Sequence, residues 1–441
     1  MVVLTLFLVG EFFSFDYINF AVNDFLWMVV LLTYLLVFSA VFELYDIHRI
    51  SRLGIVVKNI VLAVSVTVLC YILTPYYTPM LPTNRMEIIF FWLAIITGLL
   101  ISRFLYNSLI SAPRFYKRIL IVGDSNHSEE ICSFLQGADP NFKVVAFYDT
   151  AKDQKPTSLQ KLKIPFLQIQ DIEDRIIEWR ISEIVVAAPT DGGMTKELTR
   201  ELMKLMEKGV PIRDYVQVYE EMMRRIPVKE VERDFYIYFP FSRSNNNKLY
   251  LFFSRVLDVL FSLVGLLGLM LLLPFVLIGN LLGNRGPLFY HQTRVGKNGV
   301  PFRLYKFRSM VVDAEKDGAQ FAQVRDARIT KFGRFLRLSR LDEIPQFINV
   351  LLGHMSIIGP RPERPEFVTS LSEKIPFYEV RHVIKPGITG WAQVNAKYGA
   401  SEDDALEKIQ YDLYYIKHRG LFIDLSIVLK TLSTIVFFRG Q

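Results

Sequence analysis

The residues best suited to chemistry in this 441-residue chain lie between Arg334 and Pro362. This stretch carries an acidic pair, Asp342 and Glu343, with arginines on both sides and Pro345 shortly after the pair. Arginines beside carboxylates offset negative charge, either that of the carboxylates themselves or that of a bound anion. The pattern therefore indicates charge chemistry.

A structural role for the same residues is the main alternative. The sequence from Ser339 to Asp342 also fits a capping box, with Ser339 as the N-cap and the Asp342 carboxylate accepting from the backbone. Pro345 is better placed near the first position of a helix than in its interior. The pattern predicts a helix from Phe347 to Leu352, with the acidic pair just ahead of its positive dipole end.

The composition indicates a membrane protein with soluble parts. Hydrophobic residues make up 51% of the chain, and its length allows two or three domains. A net charge of +7 fits nucleic acid, anionic lipid or a phosphorylated substrate as partner. No aromatic and basic motif for RNA or DNA is present, so we expect no nucleic acid. Cys70 and Cys132 lie far apart, which argues against a disulfide framework or a zinc site and favours a reducing cytosol.

The first quarter of the chain contains four apolar runs, and the last three have roughly the ~20-residue length that spans a bilayer. The first run is too short unless it extends to Phe15, and a cleavable signal peptide fits poorly. Basic residues follow the second and fourth runs, which places everything after Arg114 on the cytoplasmic side. The runs are Met1 to Val9, Phe20 to Leu44, Gly54 to Leu73 and Ile88 to Ile110.

Strand and helix patterns alternate in the next part of the chain and predict a parallel sheet covered by helices. The turn that begins at Gly123 lacks the second and third glycines of a dinucleotide-binding loop, although Asp149 lies near the right distance for a ribose contact. We therefore favour a Rossmann-like module for assembly or regulation over a nucleotide-binding one. The predicted elements are strands 119–122, 143–148, 183–188 and 210–215 and a helix at 195–207.

A long apolar segment from Leu251 to Leu282 follows, and Pro274 interrupts it. Its length suggests an ordinary spanning helix, but basic residues flank it on both sides, which places both flanks in the cytoplasm. A re-entrant helix that bends at Pro274 and returns to the same face reconciles these observations. A true span would instead place the basic C-terminal third outside the cell.

Arginine and lysine recur in five glycine- and proline-rich stretches of the C-terminal part. Their co-occurrence with one acidic pair predicts a phosphate-binding cavity built from loops. The apolar end, Leu421 to Phe438, could lie along the membrane interface or form a buried core helix. The five stretches are 291–296, 305–310, 334–362, 378–382 and 385–395.

The C-terminal part, from about Lys248 to Gln441, resembles the bacterial polyprenyl-phosphate hexose-1-phosphate transferases, a family of monotopic phosphoglycosyltransferases. Six motifs carry the resemblance: Gln292 to Gly296, Lys306 to Met310, Leu341 to Gln346, Asn349 to Gly353, Met355 to Pro362 and Pro386 to Gln393. The preceding regions resemble the long-form members of the exopolysaccharide branch. The first membrane run is short for that pattern, and Leu273 stands where small members often carry serine.

The resemblance implies three parts. Residues 1–111 would form N-terminal transmembrane helices, and residues 112–241 an α/β Rossmann-like cytoplasmic domain. Residues 242–441 would form a monotopic, α-rich phosphoglycosyltransferase domain with a re-entrant helix at 251–282. The expected location is the bacterial inner membrane, with the catalytic domain on the cytoplasmic face and a homo-oligomer possible.

The resemblance also implies the reaction. A UDP-sugar would give its sugar 1-phosphate to undecaprenyl phosphate, with Mg²⁺ and a covalent phosphosugar intermediate. Asp342 would be the nucleophile and the Mg²⁺ contact, and Glu343 its partner. Lys306, Arg308, Arg337 and Arg361 would hold phosphates. Arg381, His382 and Gln393 would shape the nucleotide or sugar pocket, although a lone histidine can also simply brace a loop.

Two other functions remain open. The chain could be a non-catalytic assembly or regulatory subunit of a polysaccharide complex, in which the Rossmann-like domain is the working part. It could also be an ordinary metal-dependent glycosyltransferase, which would release UDP where the first reaction releases UMP. Glucose or galactose is the expected sugar for a long-form member.

Overall fold

The structure is a computed structural model, and it divides into two compact units, Met1–Met223 and Arg224–Gln441. It describes residues 1–42, 44, 53–82, 84–109, 117–123, 131–132, 142–150, 164–187, 195–228, 245, 247–284, 286–314, 316, 326–396, 399 and 401–436.

Five apolar helices open the first unit: α1 (Val2–Phe13), α2 (Asp16–Asn23), α3 (Phe25–Val41), α4 (Leu53–Leu73) and α5 (Met86–Leu109). Among the described residues of this unit, segments 56–73 and 86–105 are long and apolar enough to cross a membrane, whereas α3 is shorter. The predicted helical N-terminal region is therefore confirmed.

The predicted run from Phe20 to Leu44 is divided in two. The side chain of Asp24 accepts hydrogen bonds from the backbone N–H groups of Leu26 and Trp27, at 2.9 and 3.1 Å. This N-cap starts α3 after Asp24, because it satisfies donors that the first turn of a helix leaves unpaired. Hydropathy alone does not reveal such a break.

The rest of the first unit is an α/β domain. Its strands are β1 (Lys117–Gly123), β2 (Phe142–Asp149), β3 (Glu183–Val186) and β4 (Ile212–Asp214), and its helices are α6 (Ile172–Glu178), α7 (Lys196–Glu207) and α8 (Tyr215–Met223). The four strands are parallel in the order β2-β1-β3-β4, which confirms the predicted sheet. The predicted turn after Gly123 lies outside the described residues, and Asp149 ends β2.

The second unit opens with α9 (Lys248–Gly279), which a π-helical turn extends to Asn284. Residues 248–284 are long and apolar enough to cross a membrane. Helix α9 continues through Pro274 without interruption. One face packs on the globular part of the unit, where glycines admit aromatic rings: a Cβ at Gly265 would meet the ring of Phe347. The opposite face exposes large apolar side chains along its length.

The remaining elements of the second unit are short strands and helices, and they form the globular part against which one face of α9 packs. They are β5 (Phe289–Val295), β6 (Pro301–Phe307), α10 (Lys331–Leu338), α11 (Gln346–Leu351), β7 (Ser356–Ile358), α12 (Pro365–Lys374), β8 (Gly387–Thr389), α13 (Trp391–Asn395), α14 (Glu402–His418) and α15 (Leu421–Val436). Strands β5 and β6 form an antiparallel hairpin, and β7 pairs with β8 in parallel.

Two charged side chains of α9, the half-buried Arg255 and the buried Asp258, join it to this globular part. Arg255 donates hydrogen bonds to the carbonyl oxygens of Val350 and Leu351 at the end of α11, at 2.7 and 2.8 Å. Asp258 accepts from the Ser356 hydroxyl and the Ile357 N–H of β7, at 2.9 and 2.8 Å. These bonds satisfy carbonyls that a helix end leaves unpaired and compensate the burial of a charged group.

Candidate functional site

The acidic pair lies in a 3₁₀ turn, Leu341–Glu343, between α10 and α11. Ser339 ends α10, and its hydroxyl donates back to the carbonyl of Phe335 at 2.8 Å. Arg340 then turns the chain with a left-handed φ of 58°. The predicted capping box is therefore wrong, because the serine hydroxyl is directed to the preceding helix and Asp342 caps nothing.

Glu343 is the neutralised member of the pair. Its Oε1 lies 2.6 Å from the Arg361 guanidinium and 3.1 Å from the Lys306 ammonium. Arg340 approaches the same oxygen at 3.9 Å. Burial alone would raise the pKa of Glu343, but these three cations hold that pKa well below its ordinary value. Glu343 is therefore ionised and organises the cations around it.

Asp342 is the uncompensated member of the pair. Its side chain is buried, and among the described residues it makes no hydrogen bond and no ion pair. Burial raises the pKa of Asp342 to about 6, and the charge of Glu343 adds to this rise. Lys306, Arg337 and Arg361 act in the opposite direction. A buried carboxylate without a donor retains its lone pairs for another ligand or for attack.

Arg294 belongs to the motif from Gln292 to Gly296, and the sequence did not predict it as a site residue. Arg294 is half-buried on β5, with 17% of its side chain exposed, and it lines a cavity of about 10 Å³ beside the acidic pair. The cavity is also lined by Leu304, Lys306, Gln346, Arg361 and Pro362. The hairpin register pairs Arg294 with Phe302, so alternation along β6 places Arg294 and Lys306 on the same face. A prediction of this hairpin's register from the sequence would have identified Arg294 as a neighbour of Lys306 in the site.

Arg294 also fixes the turn that carries Arg361. Its guanidinium donates to the Pro362 carbonyl at 3.1 Å and to the Glu363 carboxylate at 3.3 Å. On the other side, Gly359 approaches β8 so closely that a Cβ would lie 2.4 Å from the carbonyl oxygen of Lys385. The position therefore requires glycine, and Arg361 is held from both sides.

Arg381 lies behind this turn and does not face the acidic pair. It donates to the carboxylate of Asp412 at 2.8 Å, to the Tyr378 hydroxyl at 2.8 Å and to the carbonyl of Arg361 at 3.0 Å. Arg381 and Asp412 are both buried. In this position Arg381 supports the backbone of Arg361.

We expect Asp412→Asn to destabilise the second unit by about 3 kcal/mol, because it leaves the buried Arg381 charge without its partner. Thermal unfolding of the purified protein would measure this loss. Asp403→Asn, at an exposed position of the same helix, is the control and should shift the midpoint little. Equal midpoints for Asp412→Asn and wild type would contradict a structural role for the pair.

The other predicted residues divide between the site and its surroundings. Arg337 contributes its charge to Asp342 while donating to the Ser309 hydroxyl at 2.9 Å. Arg308 instead donates to the Pro287 carbonyl at 2.9 Å. Gln393 donates to the Ile388 carbonyl at 2.8 Å.

Among the described residues, no hydrogen bond or ion pair joins His382 to the acidic pair. Burial, and then the neighbouring Arg381, lower the pKa of His382 to about 4, so the imidazole is neutral at physiological pH. This state suits a residue that braces a loop.

Pro274, the predicted bend of the membrane segment, lies within the continuous helix α9.

Asp342 is the residue that the sequence predicts as the Mg²⁺ contact. Among the described residues, no three His, Cys, Asp or Glu side chains come together as a metal cage. Mg²⁺ is usually held by one or two carboxylates together with substrate phosphates, so a cage is not required. A buried carboxylate without a hydrogen-bond donor fits this mode of binding. Glu343 is already engaged by Lys306 and Arg361.

Comparison with known proteins finds a matching family for each of two parts of the chain. Residues 249–438 match the family described as bacterial sugar transferase, and residues 40–213 match the CoA-binding domain family. The chain is 38% identical to the UDP-N-acetylgalactosamine-undecaprenyl-phosphate N-acetylgalactosaminephosphotransferase of Aeromonas hydrophila, over 62% of this chain and 66% of that protein.

Two further relatives extend the comparison. An undecaprenyl-phosphate glucose phosphotransferase of Komagataeibacter xylinus is 28% identical over 90% of this chain and 74% of its own length. A UDP-glucose:undecaprenyl-phosphate glucose-1-phosphate transferase of Caulobacter vibrioides is 40% identical over 42% of this chain and 69% of its own length.

Coverage of the relatives is uneven. The chain spans 66% of the Aeromonas protein and 37–42% of three other glucose-1-phosphate transferases. The match to the Caulobacter relative covers 69% of that protein at 40% identity. The chain therefore belongs to the bacterial sugar transferase family.

Proposed function

We propose that the chain transfers a hexose 1-phosphate from a UDP-sugar to undecaprenyl phosphate and releases UMP. The observation that carries this proposal is the asymmetric acidic pair: Asp342 is buried without a partner, whereas Glu343 is neutralised by Lys306 and Arg361. The printed names of the relatives, which combine undecaprenyl phosphate with a sugar phosphotransferase activity, support the same class of reaction.

In the first step, a carboxylate oxygen of Asp342 attacks the phosphorus that bears the sugar. The bond to the bridging oxygen breaks, and UMP leaves with that oxygen and its electron pair. The product is a phosphosugar joined to Asp342 as an acyl phosphate. Lys306 and Arg361 are placed to offset the charge on the transferred and leaving groups.

In the second step, a phosphate oxygen of undecaprenyl phosphate attacks the same phosphorus. The bond to Asp342 breaks, the carboxylate is regenerated, and the sugar diphosphate lipid is released. Two transfers through one carboxylate use the same cations twice, so the two anionic phosphates never need to meet directly. When bound, Mg²⁺ would supply charge neutralisation and a template for the diphosphate.

The test is a panel of UDP-sugars assayed for nucleotide release in membranes supplied with undecaprenyl phosphate. We expect UMP with at least one sugar, together with a labelled sugar diphosphate lipid. Release of UDP would instead indicate an ordinary glycosyltransferase. Absence of any lipid product across the panel would favour the non-catalytic assembly or regulatory subunit.

We also propose that α9 is re-entrant and bends at Pro274, so that the site faces the cytoplasm. Both ends of α9 attach to one hydrogen-bonded body: Arg255 bonds to α11, and Asn284 donates to the Arg308 carbonyl at 2.7 Å, next to β6. Asn349 of α11 accepts from Tyr305 of β6 at 3.0 Å. If α9 crossed the bilayer, its two ends would lie on opposite sides of ~30 Å of hydrocarbon. One body could then not bond to both ends, so these bonds favour a re-entrant helix.

Cysteine labelling tests this topology. In a chain lacking Cys70 and Cys132, Val300→Cys should not react with an impermeant maleimide added to intact cells. The control is Met80→Cys, which should react: Met80 precedes the fourth apolar run, and so lies across the membrane from the cytoplasmic part that follows Arg114. Both side chains are exposed. Labelling of Val300→Cys in intact cells would contradict re-entrance.

A further inference from the structure

A small cationic cradle lies at the end of α11 that is remote from the acidic pair. The chain turns there at Gly353, whose φ is +82°. A Cβ built on Gly353 would lie 3.6 Å from the Lys385 ammonium nitrogen and 3.9 Å from Nη2 of Arg255. Both are ordinary contact distances, so the space beside this glycine accepts a small group and is flanked by two cations.

The Lys385 side of the cradle lacks a counter-ion. Among the described residues, Lys385 makes no hydrogen bond and no ion pair. Arg255, Lys297 and Arg419 add positive charge around it, and Asp258 is the carboxylate that acts on it. The carboxylate of Asp258 is already engaged by Ser356 and Ile357 of β7. The cradle therefore carries excess positive charge.

The surroundings of the cradle are apolar. Leu352, next to the glycine, exposes 58% of its surface, and Phe252 and Val256, next to Arg255 on α9, are also exposed. A cationic group beside exposed apolar side chains suits the boundary between lipid tails and headgroups. A phosphate bound by Arg255 and Lys385 would have apolar surface beside it for its acyl chains.

We propose that Gly353, Arg255 and Lys385 bind the phosphate of an anionic membrane lipid headgroup. This site is separate from the reacting centre, because the six residues of α11, about 9 Å of helix, lie between the cradle and the turn that carries Asp342. The proposal requires α9 to lie in the membrane and does not depend on the transferase reaction. The lipid would hold the start of α9 and the end of α11 at headgroup level.

Native mass spectrometry of the full chain tests the proposal. The protein is released from nanodiscs that contain phosphatidylcholine and phosphatidylglycerol, and retained lipids are counted. We expect Lys385→Gln to lower phosphatidylglycerol retention about fivefold, the effect of one basic residue near an anionic surface. Lys385→Arg should retain it, and Lys374→Gln, an exposed lysine on α12, is the control.

A second pair of variants fills the cradle itself. Gly353→Asp places a carboxylate between the two cations, and Asp tolerates the left-handed conformation better than most residues. We expect Gly353→Asp to abolish selective retention while its thermal midpoint stays at or above that of Gly353→Asn. The Asn variant has the same size without the charge and should keep part of the retention.

Two outcomes would overturn the proposal. Unchanged phosphatidylglycerol retention in both Lys385→Gln and Gly353→Asp would show that the cradle does not bind lipid. Displacement of the retained lipid by millimolar inorganic phosphate, with phosphate adducts in its place, would assign the cradle to a free phosphate ion. UMP release plays no part in either measurement, so failure of the proposed reaction would leave this test intact.

Discussion

Asp342→Asn is expected to abolish sugar-dependent UMP release, with a loss of at least about 10³-fold. The amide has nearly the same shape as the carboxylate but cannot form the acyl phosphate through which the phosphosugar would pass. The assay is UMP release from the preferred UDP-sugar in membranes supplied with undecaprenyl phosphate. Asp403→Asn, exposed on α14, should retain full activity.

The same substitution is expected to stabilise the protein. The pKa of Asp342 is raised from 3.8 to about 6, so the folded state binds the carboxyl proton more tightly than the unfolded state does. Wild type therefore loses stability as the pH rises from about 4 through about 6, whereas the Asn variant does not. At pH 8 we expect Asp342→Asn to be more stable by about 1–3 kcal/mol.

Thermal unfolding at pH 4 and pH 8 measures this difference, which should nearly vanish at the lower pH. Millimolar Mg²⁺ should narrow the difference at pH 8, because a bound cation would stabilise ionised Asp342. An Asn variant less stable than wild type at pH 8 would show that Asp342 is compensated in the folded protein.

Glu343→Gln is expected to be damaging in both stability and activity. The amide leaves the half-buried Lys306 ammonium, whose side chain is 18% exposed, without its partner. This loss should lower the free energy of unfolding by about 3 kcal/mol. Arg361 also loses its 2.6 Å contact. Misplaced cations should reduce UMP release by about 10²-fold or more. Urea unfolding and the release assay measure the two effects.

A double variant separates the two roles of Glu343. Adding Lys306→Met to Glu343→Gln removes the unpaired charge, so part of the stability should return while activity stays low. Glu366→Gln is the control: its exposed carboxylate lies 3.6 Å from Arg364, and the change should alter stability by less than about 0.5 kcal/mol. Wild-type stability in Glu343→Gln would contradict the proposed role of Glu343.

The sequence predicted the parts of this molecule whose signals are local. Alternating apolar runs gave the parallel sheet, and the six motifs led to Asp342, Glu343, Lys306 and Arg361, which the structure brings together. Hydropathy gave the length of α9 as well. In each case the information lies within a few neighbouring residues.

Contacts between distant residues were not predictable in the same way. Arg381 reads as one more basic residue beside a phosphate site, yet it pairs with Asp412, 31 positions away. Ser339 reads as an N-cap, but the left-handed turn at Arg340 directs its hydroxyl to the preceding helix. Both outcomes depend on tertiary packing, which local patterns do not encode.

The central claim is that Asp342 carries the phosphosugar. Purified protein would be incubated with a UDP-sugar labelled in its β-phosphate, without lipid acceptor, then denatured and mapped by peptide. We predict label on the peptide that contains Asp342, its transfer to the lipid fraction when undecaprenyl phosphate is added, and no label on Asp342→Asn. Equal labelling of Asp342→Asn, or label on a different residue, would contradict the account.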